Sequence, residues 1–176
     1  ARDAELGDLC VVRALRPDRD LRPPEPYRRL QGTRVLSLRA VGVEHDSAWA
    51  ASDAPEGQPL ARLLDAARRE GRPIELAEAR ALGLALSSAL FTAHQLGDDR
   101  IAAHGALTPW CVHVRELSAR DCDLAVGDFG LLPHLLLPSA THEAARLWLP
   151  VAPELAGSQR RPTPAADVFA AAMILA

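Results

Sequence analysis

No lysine and no asparagine occur anywhere in the 176 residues, so all twenty basic side chains are arginine. A GC-rich genome that avoids lysine and asparagine codons accounts for this background, but the chemical consequence stands. The chain has no ammonium to set on a phosphate and no asparagine oxygen to offer a magnesium ion. It also lacks a basic excess: the formal net charge is −3 and the pI about 6.1, which argues against a nucleic-acid backbone as ligand. Cysteine is scarce, with Cys10, Cys111 and Cys122 forming an odd, scattered set. Such a set gives no disulfide framework and suits a reducing compartment, so the expected location is cytoplasmic.

Long apolar runs are missing too. The most apolar stretch, 79–93, is interrupted by Arg80, Ser87, Ser88 and Thr92 and is shorter than the ~20 residues a membrane span requires. No charged-then-apolar leader opens the chain. The expectation is a chain without a membrane span, and its 48% apolar content is enough to build a real core in one domain or part of a larger one.

Local patterns predict strands first and helices later. Cys10-Val11-Val12-Arg13-Ala14-Leu15 is a short β-branched run that Arg16-Pro17 ends. The prolines at 17, 23, 24 and 26 exclude a long helix there, leaving a loop with a stub of helix near 27–30. Two strands over 35–43 and 47–51, joined by Glu44-His45-Asp46, complete a small antiparallel sheet with the first.

The period then changes to that of a helix. Leu60, Leu63, Leu64 and Ala67 share one face, with Gly71 as the stop. A second helix over 75–95 is apolar on most sides, which predicts burial on most sides, and Gly97 terminates it. Residues 110–114 and 122–126 read as a hairpin around 115–121. A last helix starts after Thr163 as N-cap with Pro164 in the first turn. The order of elements is α+β.

Four motifs then appear in series: His104-Gly105-Ala106-Leu107-Thr108-Pro109, Leu124-Ala125-Val126-Gly127-Asp128-Phe129-Gly130, Val151-Ala152-Pro153-Glu154-Leu155 and Pro164-Ala165-Ala166-Asp167-Val168-Phe169. Their order and content resemble the catalytic loop, the Asp-Phe-Gly turn, the Ala-Pro-Glu region and the following long helix of eukaryotic-type protein kinases, especially the bacterial serine/threonine kinases. The resemblance implies a protein-kinase-like two-lobe fold, incomplete at both ends. Residues 1–54 would form part of the small β lobe, from the end of its second strand to the hinge, and residues 55–176 part of the helical lobe. The glycine-rich loop would precede Ala1 and much of the helical lobe would follow Ala176.

Carried over residue by residue, the resemblance implies a degraded site. Arg13 stands where the family has its strand lysine, and a planar guanidinium does not replace an ammonium at a phosphate. Glu25 is the only nearby candidate for that lysine's glutamate partner. Ala106 replaces the aspartate that receives the hydroxyl proton, a loss worth typically ~10²–10⁴ in rate. Thr108 replaces the loop lysine, Cys111 the asparagine that holds the second metal, and Gly105 the arginine that reads a phosphorylated activation loop.

Asp128 is kept as the implied metal ligand and, with Arg13, as the implied nucleotide-binding residue. Its other reading is that of a turn residue beside Gly130. His104 and Phe129 are implied to pack between the lobes, Asp167 to bond the catalytic-loop backbone, and Glu154 to pair with an arginine further on.

ATP and magnesium are the cofactors so implied, with no cofactor at all as the other outcome. The partners are proteins, an active kinase among them. The reading is a pseudokinase acting as a signalling or scaffolding module; the alternative is an atypical serine/threonine kinase that recruits Asp121 or Asp123 as base. A zinc site at Cys111, His113 and His104 or Cys122 matches no standard ligand spacing. A nucleophilic Cys111 lacks a third, orienting group. The apolar residues 131–137 read either as a segment packed over the vacated cleft or as a partner-binding patch.

Overall fold

The computed structural model describes residues 9–15, 30, 33–45, 47–96, 103–129, 131, 152–155 and 162–176. Strand β1 (Cys10–Leu15) pairs antiparallel with β3 (Ser47–Asp53), which pairs antiparallel with β2 (Leu38–Glu44), giving a sheet of order β1-β3-β2. Each of its strands sends alternate side chains to one face. There Leu15, Leu38, Ala48 and Ala50 form a small core that Leu131, from beyond the Asp-Phe motif, completes. The expected start of β2 at 35 is not reached: Val35 instead makes an isolated parallel bridge to Val126 of a second sheet.

That bridge is what joins the two halves. Leu36 N donates to Val126 O at 2.8 Å and Val126 N to Arg34 O at 2.8 Å. The Arg34 guanidinium adds a bond to Cys122 O at 2.6 Å. The second sheet, of order β4-β5-β6, consists of β4 (Gln58–Pro59), β5 (Val112–Leu117) and β6 (Cys122–Val126). The β5–β6 hairpin follows the expectation. The two-residue β4 has no periodicity to announce it, and depends on Gly57 at φ 81°, where an added Cβ would lie 2.2 Å from Val114 O.

Helix α1 (Leu60–Arg69) buries Leu60 and Ala67, with Leu63 and Leu64 packed beside them, and ends at Gly71 with φ 64°. Helix α2 (Leu76–Leu96) opens with Glu78 reaching back to Glu75 N at 3.0 Å, half of a capping box. Its buried face is Ala81, Leu82, Ala85, Leu86, Ala89, Leu90 and Ala93. Burial on most sides is not what is found: Leu76, Leu84 and Phe91 are exposed on the opposite face. Apolar content alone could not separate one face from two.

Among the described helices, α2 alone has the length and apolar content to cross a membrane, at mean hydropathy 1.2 over Leu76–Gln95. Its packing on β6 and on helix α3 (Pro164–Leu175) is that of a core helix, and no clear membrane span results. Thr163 caps α3 as expected, its Oγ1 accepting from Ala166 N at 3.3 Å with Pro164 in the first turn. The fold is α+β, with small antiparallel sheets and three helices among the described residues. The expected helix stub at 27–30, apart from Leu30 itself, and the Gly97 stop lie outside the described residues, as do Glu25, Gly130 and 132–137.

Candidate functional site

The loop 103–111 connects α2 to β5, and its position is set by one carboxylate. Asp167, in the first turn of α3 and fully buried, accepts from His104 N at 2.7 Å through Oδ2 and from Gly105 N at 2.8 Å through Oδ1. His94 Nε2, from the last turn of α2, lies 2.9 Å from the same Oδ2. One side chain therefore gathers a loop and two helices. Buried carboxylates persist only when their lone pairs are so engaged.

Gly105 occupies φ 76°, the left-handed region, and so makes the turn by which its N–H meets Asp167. Beneath the loop His104 is fully buried. Its Nε2 donates to Gly127 O at 2.8 Å, and its ring meets that of Phe129 edge-on, centroids 5.1 Å apart. Phe129 also meets His94, at 6.5 Å.

Burial opposes charge on the His104 imidazole, but the Cys111 sulfur, the Asp167 carboxylate and the Gly127 carbonyl favour it, and its pKa is raised to about 9. The Ala106 N–H, 3.2 Å from Nδ1, requires that nitrogen unprotonated.

The three loop positions at which the resemblance implies a degraded site are Ala106, Thr108 and Cys111. Ala106 presents a methyl group. Cys111 is buried, and its sulfur turns into the loop, accepting from Thr108 N and lying 3.1 Å from Thr108 O as well. Thr108 in turn is engaged through Oγ1 with Trp110 N at 3.2 Å. These contacts close the turn from Thr108 to Cys111 and leave the thiol no open face for a metal. The other cysteines, Cys10 and Cys122, are buried and form no disulfide, and burial pushes the Cys122 thiol up to about 11.

Asp128 lies just past β6 with φ 61°, a strained value for a residue with a side chain. Neighbouring main-chain bonds hold it there: Gly127 N donates to Cys111 O at 2.7 Å and Leu131 N to Asp128 O at 3.2 Å. Its carboxylate, mostly buried, meets Arg13 Nε of the first sheet at 2.5 Å. The N–H of that buried nitrogen is not aligned on the oxygen, so the contact is an ion pair held by charge. Arg13 is a strand residue whose side chain is partly exposed and pairs with Asp128. The structure brings together the two residues for which the resemblance implied nucleotide binding.

A third member was not singled out in the sequence for this role. His113 of β5 is buried, its Nδ1 has no hydrogen-bond partner among the described residues, and it interacts electrostatically with both Asp128 and Arg13. Burial lowers its pKa, and Arg13 adds to the effect against the opposing pull of Asp128. His94 is the other residue sequence reasoning missed. Its only signal is a histidine in the last turn of a largely apolar helix. Glu154 lies in a short 3-10 turn, Pro153–Leu155.

Asp121 and Asp123 are remote from this cluster. They lie at the turn end of the β5–β6 hairpin, and Asp123 is engaged by Arg115. At a rise of about 3.3 Å per residue, Asp123 is roughly 16 Å along the chain from Asp128. No family model matches the chain, and no curated protein matches it significantly.

Proposed function

We propose that this chain is part of a protein-kinase-like two-lobe domain with a degraded site, a pseudokinase that acts by binding protein partners, an active kinase among them. The observation that carries the reading is the Asp167 clamp. A buried carboxylate holds the 103–111 loop by two main-chain N–H groups, while the loop so held presents Ala106, Thr108 and Cys111. Positioning has been retained where the groups to be positioned are absent. The sheet of β1 to β3 corresponds to the small lobe, and the second sheet with its helices to the large one.

Phosphoryl transfer relies on positioning and charge neutralisation, by a cation on the phosphates, metal ions and a carboxylate near the attacking hydroxyl. With a methyl at Ala106, and with Asp121 and Asp123 at the far end of the hairpin, no described carboxylate reaches the loop in the role of base. Nucleotide binding at Arg13 and Asp128 is compatible with this reading and not required by it.

Two measurements test it. Incubation of the protein with labelled ATP and a generic protein substrate is expected to give no transfer above background; transfer that Asp128→Ala abolishes would refute the proposal. Capture of partners from the source cell, followed by a kinase assay on what is captured, is expected to show kinase activity altered by the added chain.

A further inference from the structure

Magnesium is the ion the kinase resemblance implies at Asp128, and the residues around that carboxylate do not fit it. Magnesium asks for hard oxygen ligands in near-octahedral array. Beside Asp128 stand a guanidinium, an imidazole and, on the neighbouring loop, a thiol turned inward. Among the described residues no group of three histidine, cysteine, aspartate or glutamate side chains is placed to hold a metal ion. A positive charge is nevertheless present, and it belongs to the protein.

We propose that Arg13 is the built-in cation of this cleft: its guanidinium occupies the Asp128 carboxylate and closes it to divalent metal ions. Three observations support the assignment. Arg13 Nε sits 2.5 Å from Asp128 Oδ1, nearer than any water-separated ion pair. Both ends are fixed by the fold, Arg13 opposite Ala50 in the middle of the β1–β3 pairing and Asp128 by the bonds that follow β6. The Asp128 side chain is only 12% exposed and that of Arg13 38%, so the carboxylate end of the pair is screened less than in a fully exposed ion pair.

A divalent ion approaching Asp128 would have to displace a cation already in contact, beside buried His113 and with no second carboxylate to share its charge. Because the guanidinium cannot be deprotonated in a protein, the occupancy does not lapse with pH in the physiological range. The contact also links the two sheets across the cleft, so the same pair that excludes metal ties β1 to the end of β6.

Manganese, detected by its electron paramagnetic resonance signal in nucleotide-free solution, tests this directly. Wild type and Asp128→Asn are expected to bind the ion equally weakly. Arg13→Gln is expected to bind it at least tenfold more tightly, and Arg13→Gln with Asp128→Asn to lose that gain. The proposal is overturned if the wild type binds manganese through Asp128, or if Arg13→Gln, folded by circular dichroism, gains nothing. Should Arg13→Gln fail to fold, wild type against Asp128→Asn decides alone: equal binding supports the plug, and excess binding by the wild type overturns it. The assay needs neither nucleotide nor protein substrate, so its outcome is independent of whether the pseudokinase reading survives the transfer experiment.

Discussion

Replacing Asp167 by alanine removes the acceptor that two buried main-chain N–H groups share, and the cost can be worked from the geometry. His104 N and Gly105 N each donate to an ionised oxygen, at 2.7 and 2.8 Å, and such bonds contribute about 1.5–3 kcal/mol apiece. With the carboxylate gone the two donors, and His94 Nε2 at 2.9 Å, must find water or remain unpaired in a closed interior. An orphaned buried group costs about 1–3 kcal/mol. Because the loop relaxes in part, these figures do not simply add, and the expected loss is about 3–5 kcal/mol, as for breaking a buried pair. Against a total stability of roughly 5–15 kcal/mol this is a large fraction.

Urea denaturation reads it as a fall in midpoint of about 2 M at a slope of about 2 kcal/mol/M, with the slope unchanged. Asp167→Asn keeps one acceptor oxygen but turns an NH₂ toward a donor, and is expected to fall between wild type and alanine. His94→Ala removes one partner only and should lose about 1 kcal/mol, less than additively with Asp167→Ala because the two share a bond. Native-state hydrogen exchange supplies the local reading: the amides of His104 and Gly105 should lose protection in Asp167→Ala before those of β5 and β6 do. If Asp167→Ala stays within about 0.5 kcal/mol of wild type and both amides remain protected, the clamp is not what holds the loop.

Two further tests probe the same loop. His104, with a folded pKa of about 9 against an ordinary 6.5, contributes stability that is complete below pH 6.5 and lost as pH rises through 9. His113, depressed by burial, acts in the opposite sense: its contribution is present above pH 6.5 and lost as pH falls through its lowered pKa. Midpoints measured from pH 5 to 10 should therefore decline on the alkaline side. Cys111→Ala, which removes the sulfur facing His104, should flatten that decline, and an NMR titration placing the His104 pKa below 6.5 would contradict the assignment. Gly105→Arg, which introduces the side chain that the resemblance implies at this position, is expected to destabilise the fold by about 1–2 kcal/mol because φ of 76° penalises a Cβ; an unchanged denaturation midpoint would show that the turn relaxes at no cost.

What the sequence made legible is what depends on short-range pattern. β1, the β5–β6 hairpin, α1 and the Thr163 cap follow from runs, turn residues and capping chemistry, all of which act within a few residues. The positions of His104, Phe129 and Asp167 agree with what motif order implied, because a main-chain clamp and an edge-on ring pair are set by those residues alone. Long-range facts were not legible. The burial of only one face of α2 depends on which neighbours pack there, β4 depends on a glycine meeting a strand 57 residues away, and the Arg13–Asp128 contact joins residues 115 apart. His113 illustrates the limit best: its β5 position was legible, but its charged surrounding comes from Asp128, after β6, and Arg13, on β1.

On the proposed pseudokinase reading, the residues that match the kinase pattern and those that depart from it divide along a physical line. Asp167, His104, Phe129 and Gly127 satisfy main-chain groups or fill the interior, and altering any of them leaves a buried donor, acceptor or void that the fold itself must bear. Ala106 and Thr108 are half-buried positions whose substitution costs the fold less, so on the proposed reading chemistry alone would have kept an aspartate and a lysine there. Cys111 falls between: it is buried, and its thiol, bonded to Thr108, closes the turn. Asp128 is the informative exception, since its strained φ and half-neutralised carboxylate serve neither turn geometry nor transfer by themselves. Its tie to Arg13 gives it a structural role whether or not the chain has any catalytic history: without that carboxylate, the partly exposed Arg13 guanidinium would lose its contact with the residue that follows β6.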